Sequence, residues 1–238
     1  MARRFVIFDV ASEMAHFRRQ YAITTALTYP VPPRTALCGL IGAILGLPKN
    51  ESLRQFSDED AVFGLQVLTP LRTGHVSINL VDTKDNSTFR LKAVNPRTTM
   101  RYEVVRAPRY RVMFSHGELV DQLRRALENG ESVYTPCLGL AWMMAWFEGR
   151  PIVLDGEEIR DEGTTPSIVS PVRSDDLRGS IRWNPDGVYQ RVRMPAEMRP
   201  DRQVTRYESY VIDATGRAIS AALRVYWKLS DGTCFSAM

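Results

Sequence analysis

The chain has 238 residues, of which 44% are hydrophobic and 24% charged, and these ordinary globular values exclude wholesale disorder. Its length suits one large domain, or one domain with an extension. The balance is basic, because 31 Lys and Arg oppose 27 Asp and Glu for a net charge of +4. Only four of these cations are lysines. The arginine excess suits bidentate phosphate contacts, and a GC-rich genome is the alternative explanation.

The cysteines and the apolar segments bear on the compartment. Cys38, Cys137 and Cys234 lie far apart and are odd in number, which favours reduced thiols in a cytoplasm over a disulfide framework. The apolar stretch at 36–47 is too short to span a bilayer and contains three glycines. The apolar run near the N-terminus ends at Asp9, well short of a signal-peptide core. We therefore expect a cytoplasmic protein without a membrane segment.

The first 148 residues predict an alternation of strands and helices. Residues 4–10 are β-branched and aromatic, which is typical of a buried strand. A helix from Thr35 to Leu47 follows Pro33 and is apolar nearly all round, which predicts burial on more than one side. The other predicted elements are strands at 61–69, 104–114 and 141–148, and a helix at 117–129 that begins with a Ser115–Glu118 capping box. This βαββαβ order predicts an α+β, ferredoxin-like (RRM-like) core.

The second half of the chain has a different character. Gly149-Arg150-Pro151 predicts a break, after which short strand-like runs alternate with turns, and residues 219–229 predict a closing strand. We therefore predict a domain at 1–148 and a smaller β-rich extension at 149–238. Within the first domain, the glycines of the 35–47 helix are poor helix formers, and we interpret them as packing glycines that let another backbone approach.

Basic charge is concentrated in one window of 28 residues, from 84 to 111. Eight cations oppose two acidic residues there, so the window carries +6 and the remaining chain nets −2. Phe89, Tyr102 and Tyr110 lie between the cations, and turn formers at 85–86 and 95–96 predict a β-hairpin inserted at about 80–105. Such a ribbon suits phosphate contacts and base stacking, and a solvated charged hairpin is the alternative. The eight cations are Lys84, Arg90, Lys92, Arg97, Arg101, Arg106, Arg109 and Arg111.

Two further arginine clusters also point to a nucleic acid as the ligand. Arg34 and Thr35 lie at a predicted helix N-terminus, where N–H groups and the helix dipole favour an anion, and a surface salt bridge is the alternative for Arg34. The other cluster has a solvated strand face as its alternative. The first cluster is Arg3, Arg4, Arg18, Arg19 and Arg34, and the second is Arg191, Arg193, Arg199, Arg202 and Arg206.

The sequence lacks the usual catalytic signatures. His16, His75 and His116 have no metal-ligand spacing, and no phosphate-binding loop or nucleophile elbow is present, so we predict no metal and no cofactor. A metal-independent ribonuclease needs only a general base, a general acid and a cation. His16 or His116 with Tyr21 or an arginine would suffice, and packing or surface imidazoles are the alternative.

Several stretches resemble the Cas-five family, the RAMP-type subunits of type I CRISPR Cascade complexes, and are most similar to its type I-B branch. They are residues 5–10, 15–19, 29–46, 134–140 and 194–198, with Arg202 downstream. The resemblance implies a ferredoxin-like RNA-binding core with a protruding β-hairpin thumb. It implies binding of the 5′ handle of the guide RNA (crRNA), capping of the backbone filament, and contacts with the RAMP-family backbone subunit and the large subunit. Target DNA near the PAM end is a further candidate partner.

One branch of this family, in type I-C systems, cleaves the guide precursor with a Tyr, Lys and His constellation. The matching pair here is Ser115-His116, which lacks the lysine, so we predict a non-catalytic RNA-binding subunit in antiviral defence. A metal-independent endoribonuclease that processes the precursor is the main alternative, and a purely structural assembly subunit is another. The predicted RNA-binding residues are Arg18, Arg19, Tyr21, Arg34, Thr35, Arg90, Lys92, Arg97, Arg101, Tyr102, Arg106 and Arg109.

Overall fold

The computed structural model describes residues 2–20, 25–48, 51, 53, 55–56, 60–81, 97–160 and 163–238. Most of these residues lie in strands, and two α-helices have described bounds, α1 (Arg34–Leu45) and α2 (Leu119–Glu128). The class is therefore α+β. The strands before α2 are β1 (Ala2–Ser12), β2 (Met14–Ala15), β3 (Phe17–Arg18), β4 (Thr25–Ala26), β5 (Thr28–Tyr29), β6 (Val62–Val67), β7 (Thr73–Val81), β8 (Arg97–Arg106) and β9 (Arg109–Ser115).

The strands after α2 complete four sheets. The largest has nine strands in the order β13-β16-β11-β18-β17-β10-β1-β9-β6, and β12, β15 and β14 form a three-stranded sheet. β8 lies between β2 and β4 and also pairs with β7, and β3 pairs with β5. These later strands are β10 (Ala145–Arg160), β11 (Ser167–Ile168), β12 (Val172–Arg173), β13 (Leu177–Arg182), β14 (Tyr189–Met198), β15 (Val204–Asp213), β16 (Ile219–Leu223), β17 (Val225–Leu229) and β18 (Cys234–Phe235).

Strand β1 lies between β10 and β9 in the large sheet and is buried on both faces. Val6 and Phe8 point into the main core beside α1 and α2, whereas Phe5 and Ile7 pack against Trp227 and the C-terminal strands. Successive side chains of a strand point to opposite faces, so a strand covered on both sides needs an unbroken apolar run. This explains the apolar sequence from Phe5 to Phe8, and the buried strand predicted at 4–10 is confirmed.

Helix α1 is covered on more than one side, as its sequence predicted. Leu37, Ile41 and Ile44 are buried in the main core, which also contains Met194 of β14. The helix ends at Leu45, where Gly46 has a left-handed φ of 72° and its N–H donates to the Gly42 carbonyl.

The glycines of α1 do not all act as packing glycines. A Cβ at Gly46 would lie 2.8 Å from the Val133 side chain, so this position is close-packed. A Cβ at Gly39 would meet nothing within 4 Å. The close backbone approach expected for the helix glycines is therefore wrong at Gly39, which faces open space.

Two predicted strands are each divided in the structure. The segment at 104–114 is broken at Ala107 and Pro108, where Ala107 has a φ of 44°, and its two parts belong to different sheets as the end of β8 and most of β9. The segment at 219–229 is broken at Arg224 into β16 and β17, which lie apart in the nine-stranded sheet. A change of sheet divides the first segment, whereas the second is divided within one sheet, because β16 pairs with β11 and β13 and β17 pairs with β10 and β18.

The break predicted at Gly149-Arg150-Pro151 does not end a strand. β10 continues from Ala145 to Arg160, and a bulge opposite β1 absorbs the extra residues where Gly149 has a φ of 70°. One sheet thus holds strands from both sides of residue 148. The domain division at that residue stays a prediction.

Helix α2 forms without the predicted capping box. The helix begins after Glu118, which makes no side-chain cap hydrogen bond, and Ser115 is the last residue of β9. Val120, Leu123 and Leu127 form the buried stripe that its periodicity predicted. No helix in the described part of the chain is long and apolar enough to cross a membrane.

Candidate nucleic-acid interface

Strands β7 and β8 form an antiparallel pair, and its two faces differ. β7 and β8 pair without a shift from Thr73 opposite Val105 to Val81 opposite Arg97, and residues 82–96 between them lie outside the described residues. Residues directly opposite in an antiparallel pair share a face. Arg97 and Arg101 therefore lie on one face with Ser77 and Asn79, which we call the basic face. Both arginines are exposed and have no ion pair among the described residues.

The other face of the hairpin is largely apolar. Met100 and Tyr102 lie there opposite Ile78 and Val76, and all four side chains are half-buried. Arg106 shares this face by the alternation of β8, and its guanidinium lies across Gly74, where a Cβ would overlap it. The charge count alone suggested that Arg97, Arg101 and Arg106 form a single surface. The strand register shows that Arg106 lies on the opposite face from the other two.

Glu103 fastens the base of the hairpin to the segment that precedes α1. The Glu103 carbonyl accepts a hydrogen bond from His16 Nδ1 at 2.7 Å, and its carboxylate accepts one from the Thr28 backbone N–H at 3.0 Å. Tyr102 packs edge-on against the His16 ring, with ring centroids 5.2 Å apart. The hairpin base therefore connects directly to the second part of the site.

This second part is a groove beside the N-terminal half of α1, with a cavity volume of about 610 Å³. Its apolar wall is formed by Phe17, Tyr29, Leu140, Met198 and Val204. We call it the α1 groove. The volume lies within the about 300–1,000 Å³ that is usual for sites of small organic ligands.

The polar lining of the α1 groove comes from three distant parts of the sequence. It consists of His16, Arg18 and Gln20, then Thr35 in the first turn of α1, and Arg202 from the β14–β15 turn. Arg202 has a φ of 68°, a left-handed conformation that is uncommon for a residue other than glycine. The residues lining the groove in the described part of the chain include two arginines and neither Asp nor Glu. The groove therefore favours an anionic ligand.

His16 presents a hydrogen-bond acceptor beside the groove. A carbonyl oxygen only accepts, so Nδ1 carries the proton that bonds the Glu103 carbonyl, and the neutral ring leaves a lone pair on Nε2. Burial lowers the pKa of His16, and the positive charge of Arg18 lowers it further. The whole His16 residue is only 1% exposed, and its Nε2 atom is buried and has no hydrogen-bond partner among the described residues.

The lowered pKa of His16 predicts that acid destabilises the fold. An unfolded His titrates near pH 6.5, so below about that pH the unfolded state binds more protons than the native state. The free energy of unfolding should therefore fall as the pH is lowered through about 6.5, by at most about 1.4 kcal/mol per pH unit from this group. Urea unfolding at about pH 7.5 and about pH 5.5 measures the change. An NMR titration in which His16 has a pKa at or above its unfolded value would contradict it.

Arg34 is not available to a nucleic acid, which corrects its prediction as an RNA-binding residue. It is 3% exposed, and its guanidinium donates to the carbonyls of Phe56 at 2.7 Å and Ala61 at 3.4 Å. The guanidinium carbon also lies 5.1 Å from the centroid of the Phe63 ring. Arg34 is therefore a buried structural group beneath the first turn of α1.

The remaining predicted residues are distributed unevenly. Arg19 is half-buried, and its Nε donates to the Thr28 carbonyl at 2.7 Å. Arg109 is exposed on β9, and its guanidinium forms an ion pair with the Glu148 carboxylate, with Nη2 and Oε1 3.4 Å apart. Tyr110 is fully buried and donates its hydroxyl to the Pro30 carbonyl, so its expected stacking role is wrong. Tyr21, Arg90 and Lys92, together with Lys84 and Phe89, lie outside the described residues.

The second catalytic candidate, His116, lies apart from the groove lining. Its ring packs edge-on against Phe56 and parallel to Phe114, with centroids 5.8 Å and 6.4 Å away. The described residues hold no cluster of three or more His, Cys, Asp or Glu side chains suited to a metal ion.

The sequence matches the family model described as CRISPR-associated protein (Cas_Cas5) over residues 5–140, which is more than half of the chain. The chain belongs to this Cas5 family. The match includes α1, the hairpin and α2, and thus most of the candidate interface. No curated protein matches the sequence.

Solved structures of low sequence identity share the fold. A CRISPR protein from Archaeoglobus fulgidus is 13% identical with a TM-score of 0.57, and the match covers 97% of this chain and 98% of that one. A chain of a type III-B Cmr-β complex bound to cognate target RNA and AMPPnP is 11% identical with a TM-score of 0.51, covering 91% and 86%. The α+β architecture of this Cas5 chain is therefore also found in other CRISPR proteins.

Sequence reasoning did not bring together three residues that line the α1 groove of this Cas5 chain. His16 was a catalytic candidate, Arg202 a member of an arginine cluster, and Gly39 a packing glycine, and His16 and Arg202 also belonged to the family resemblance. Thr35 and Gly39 are four residues apart in α1 and so lie on one helix face, which is the one local signal that links them. The contacts that join this face to His16 and Arg202 are tertiary.

Proposed function

We propose that this Cas5-family chain is a non-catalytic RNA-binding subunit of a type I CRISPR effector complex and binds the 5′ handle of the guide RNA. The observation that carries the proposal is the basic face of the hairpin, where Arg97 and Arg101 are exposed and lie opposite Val81 and Ser77. Glu103 shares this face, but its carboxylate accepts a hydrogen bond from the Thr28 N–H. Exposed cations bind phosphates, and their affinity falls with salt. Tyr102 at the hairpin base supplies an aromatic edge for an unstacked base.

The proposed fold assignment is a ferredoxin-like core with the β7–β8 hairpin as its thumb. The strand order β10-β1-β9-β6, with each neighbouring pair antiparallel, supports it. α1 connects β1 to β6 and α2 connects β9 to β10, which is the βαββαβ connectivity. The later β-rich residues form the predicted extension in this assignment.

The proposed partners are the RAMP-family backbone subunit and the large subunit of the complex, with this chain at one end of the filament. Target DNA near the PAM end is a further proposed contact. The structural likeness to a chain of a complex that holds target RNA supports an assembly role. The type I-B placement rests on the N-terminal motif alone, at residues 5–10, 15–19 and 29–46.

Co-purification tests the function directly. The chain is expressed with the other effector subunits and a CRISPR array, purified, and the bound nucleic acid is extracted and sequenced. We expect guide RNA with one uniform repeat-derived 5′ end. A complex that assembles with this chain but holds no guide RNA would refute the RNA-binding role and favour a purely structural subunit.

A metal-independent endoribonuclease is the second candidate, and His16 is the observation in its favour. A neutral imidazole with an unpartnered Nε2 has the chemistry of a general base, and Arg18 and Arg202 line the same groove as cations. Ser115 in place of a lysine before His116 argues against the activity described for the type I-C branch.

Incubation of purified protein with repeat RNA in EDTA discriminates between the two. We expect full-length RNA to persist over hours under conditions in which the protein binds it. Cleavage at one site that is abolished in His16→Ala or His116→Ala protein would establish the nuclease and overturn the non-catalytic proposal.

A further inference from the structure

Strand β7 is the outer strand of the β7–β8 pair, and its second edge has no strand partner in the described part of the chain. The strand is nine residues long and pairs with β8 without a shift, so no bulge bends this edge away. An unpaired edge is a row of backbone N–H and C=O groups with which another chain can pair. Proteins usually block such edges with charged residues, proline or bulges.

β7 has none of these protections, whereas other sheet edges in the described residues have them. The nine residues of β7 include no Asp, Glu, Lys, Arg or Pro. At the edge of the nine-stranded sheet, β13 carries Arg178 and Arg182 and shifts its register against β16. At the edge of the three-stranded sheet, β14 contains Pro195 and shifts its register against β15. The outer edge of β7 is therefore the one suited to pairing with a further strand among these three.

The hydrogen-bond pattern identifies the backbone groups of β7 that point outward. The Arg106 N–H donates to the Arg72 carbonyl at 2.8 Å, and the register of the pair places these two residues opposite each other. Hydrogen-bonded and non-hydrogen-bonded pairs alternate along an antiparallel ladder, so the odd-numbered residues from 73 to 81 direct their N–H and C=O groups away from β8. Glu103 fits this alternation, because its carbonyl bonds His16 next to β2, on the other edge of β8.

These outward groups fit a protein strand better than a nucleic acid. Each residue offers one N–H donor and one C=O acceptor, and an extended peptide offers both in return. A phosphate oxygen only accepts, so a phosphate backbone would leave the outward carbonyls unmatched. β7 also contributes no lysine or arginine to hold a phosphate. The chemistry of the edge therefore selects an extended protein segment.

The two faces of the β7–β8 pair select the side chains of that segment. Val76 and Ile78 lie on the apolar face, opposite the basic face that carries Arg97 and Arg101. Side chains of an added strand alternate between these faces. Apolar residues at alternate positions would extend the apolar face, and neutral or acidic residues between them suit the basic face, where a cation would be repelled by the two arginines.

We propose that β7 is the docking edge for an extended segment of another protein subunit, which pairs with the outward backbone groups of β7 and extends its sheet by one strand. The proposal rests on the proposed function, because the partner is another subunit of the effector complex. The added strand lies beside β7 and leaves Arg97 and Arg101 of β8 open to RNA. The edge then serves assembly, and the basic face serves nucleic-acid binding.

Amide hydrogen exchange of the wild type tests the edge directly. In the isolated full-length chain, the odd-numbered amides from 73 to 81 should exchange fast, and the even-numbered amides from 74 to 80, bonded to β8, at least about tenfold more slowly. In the complex co-expressed with a CRISPR array, the odd-numbered amides should also slow by at least about tenfold. Mass spectrometry with fragmentation to single residues measures both samples.

Proline at position 75 perturbs this edge without removing a β7–β8 hydrogen bond. His75 is exposed, and by the ladder alternation its N–H points away from β8. Proline is tolerated in an edge strand where the N–H faces solvent, so His75→Pro should keep the fold, and His75→Ala is the matched control that retains the N–H. Titration of each variant with the purified remaining subunits should show an affinity about tenfold lower for His75→Pro and within about twofold of the wild type for His75→Ala.

The outcomes separate this inference from the proposed function. A complex that holds guide RNA while the odd-numbered β7 amides stay fast would overturn the docking edge and leave the function standing. A complex without guide RNA in which these amides slow would overturn the RNA-binding role and support the docking edge. Absence of any assembly would overturn both.

Three further results would also reject a partner subunit at this edge. Slow exchange of the odd-numbered amides in the dilute isolated chain would mean that the edge is already covered. Slowing only at high protein concentration would assign the edge to a second copy of the chain, and slowing on addition of RNA alone would assign it to nucleic acid. The exchange measurement uses the wild type, so it decides the question even if His75→Pro does not fold.

Discussion

Replacement of both Arg97 and Arg101 by Ala should weaken binding of the guide RNA about 30- to 100-fold near physiological salt. Both side chains lie on the basic face without an ion pair in the described part of the chain, so each is available to a phosphate. Each contact of an exposed arginine should be worth about 1–1.4 kcal/mol, less than the about 1.5–3 kcal/mol of hydrogen bonds to charged groups, and about 1.4 kcal/mol is a factor of ten. Affinity is measured with a synthetic RNA that carries the 5′ end sequenced from the complex.

The salt dependence provides a second, independent readout of the same change. Each phosphate contact on a single strand contributes about 0.7 to the slope of log affinity against log salt, so the double variant should lose about 1.4 from that slope. The matched control replaces Arg182 and Arg224, which are also exposed and lie in the C-terminal strand region, and removes the same charge. If both variants lost the same amount from that slope, the effect would come from net charge alone, which would contradict a specific basic face.

Charge counting located the hairpin but not its faces. The window from 84 to 111 predicted a ribbon, and the paired strands β7 and β8 lie on either side of residues 82–96. Which cations share a face depends on the register and on where the strand ends, and Ala107 ends β8 with a φ of 44°. Arg106 and Arg109 lie only three residues apart in sequence but belong to different sheets, which residue counts do not reveal.

Local patterns predicted the elements whose buried side is visible in the spacing of their apolar residues. The strand at 4–10 and the helices beginning near residues 35 and 119 were found because their apolar spacing reflects burial. The course of β10 past Gly149 was missed, because glycine and proline mark a bulge as well as a break. The α1 groove was missed for another reason: Arg18, Thr35 and Arg202 meet only in the folded chain.

The sequence and the structure assign different roles to Arg34. Its position at the N-terminus of α1 suggested an anion ligand, yet its guanidinium donates to the carbonyls of Phe56, Ala61 and Ala196. Those carbonyls belong to three separate segments around the helix start. The charge is therefore satisfied by backbone oxygens inside the protein, and phosphate has no access to it.

Replacement of Arg34 by Ala should lower the free energy of unfolding by about 3–5 kcal/mol, because it leaves a cavity and removes the donors from buried carbonyls. Urea unfolding measures the loss, and Arg18→Ala, an exposed arginine of the groove, should change the stability by no more than about 0.5 kcal/mol.

Arg34→Lys separates a structural role from a phosphate contact. The lysine keeps the charge but not the planar fork that reaches several carbonyls at once, so most of the stability loss should persist. RNA affinity of the folded Arg34→Lys protein should stay within about twofold of the wild type, since no phosphate reaches this buried site. A stable Arg34→Ala protein with sharply reduced RNA affinity would return Arg34 to the interface. That result would require the first turn of α1 to open when RNA binds.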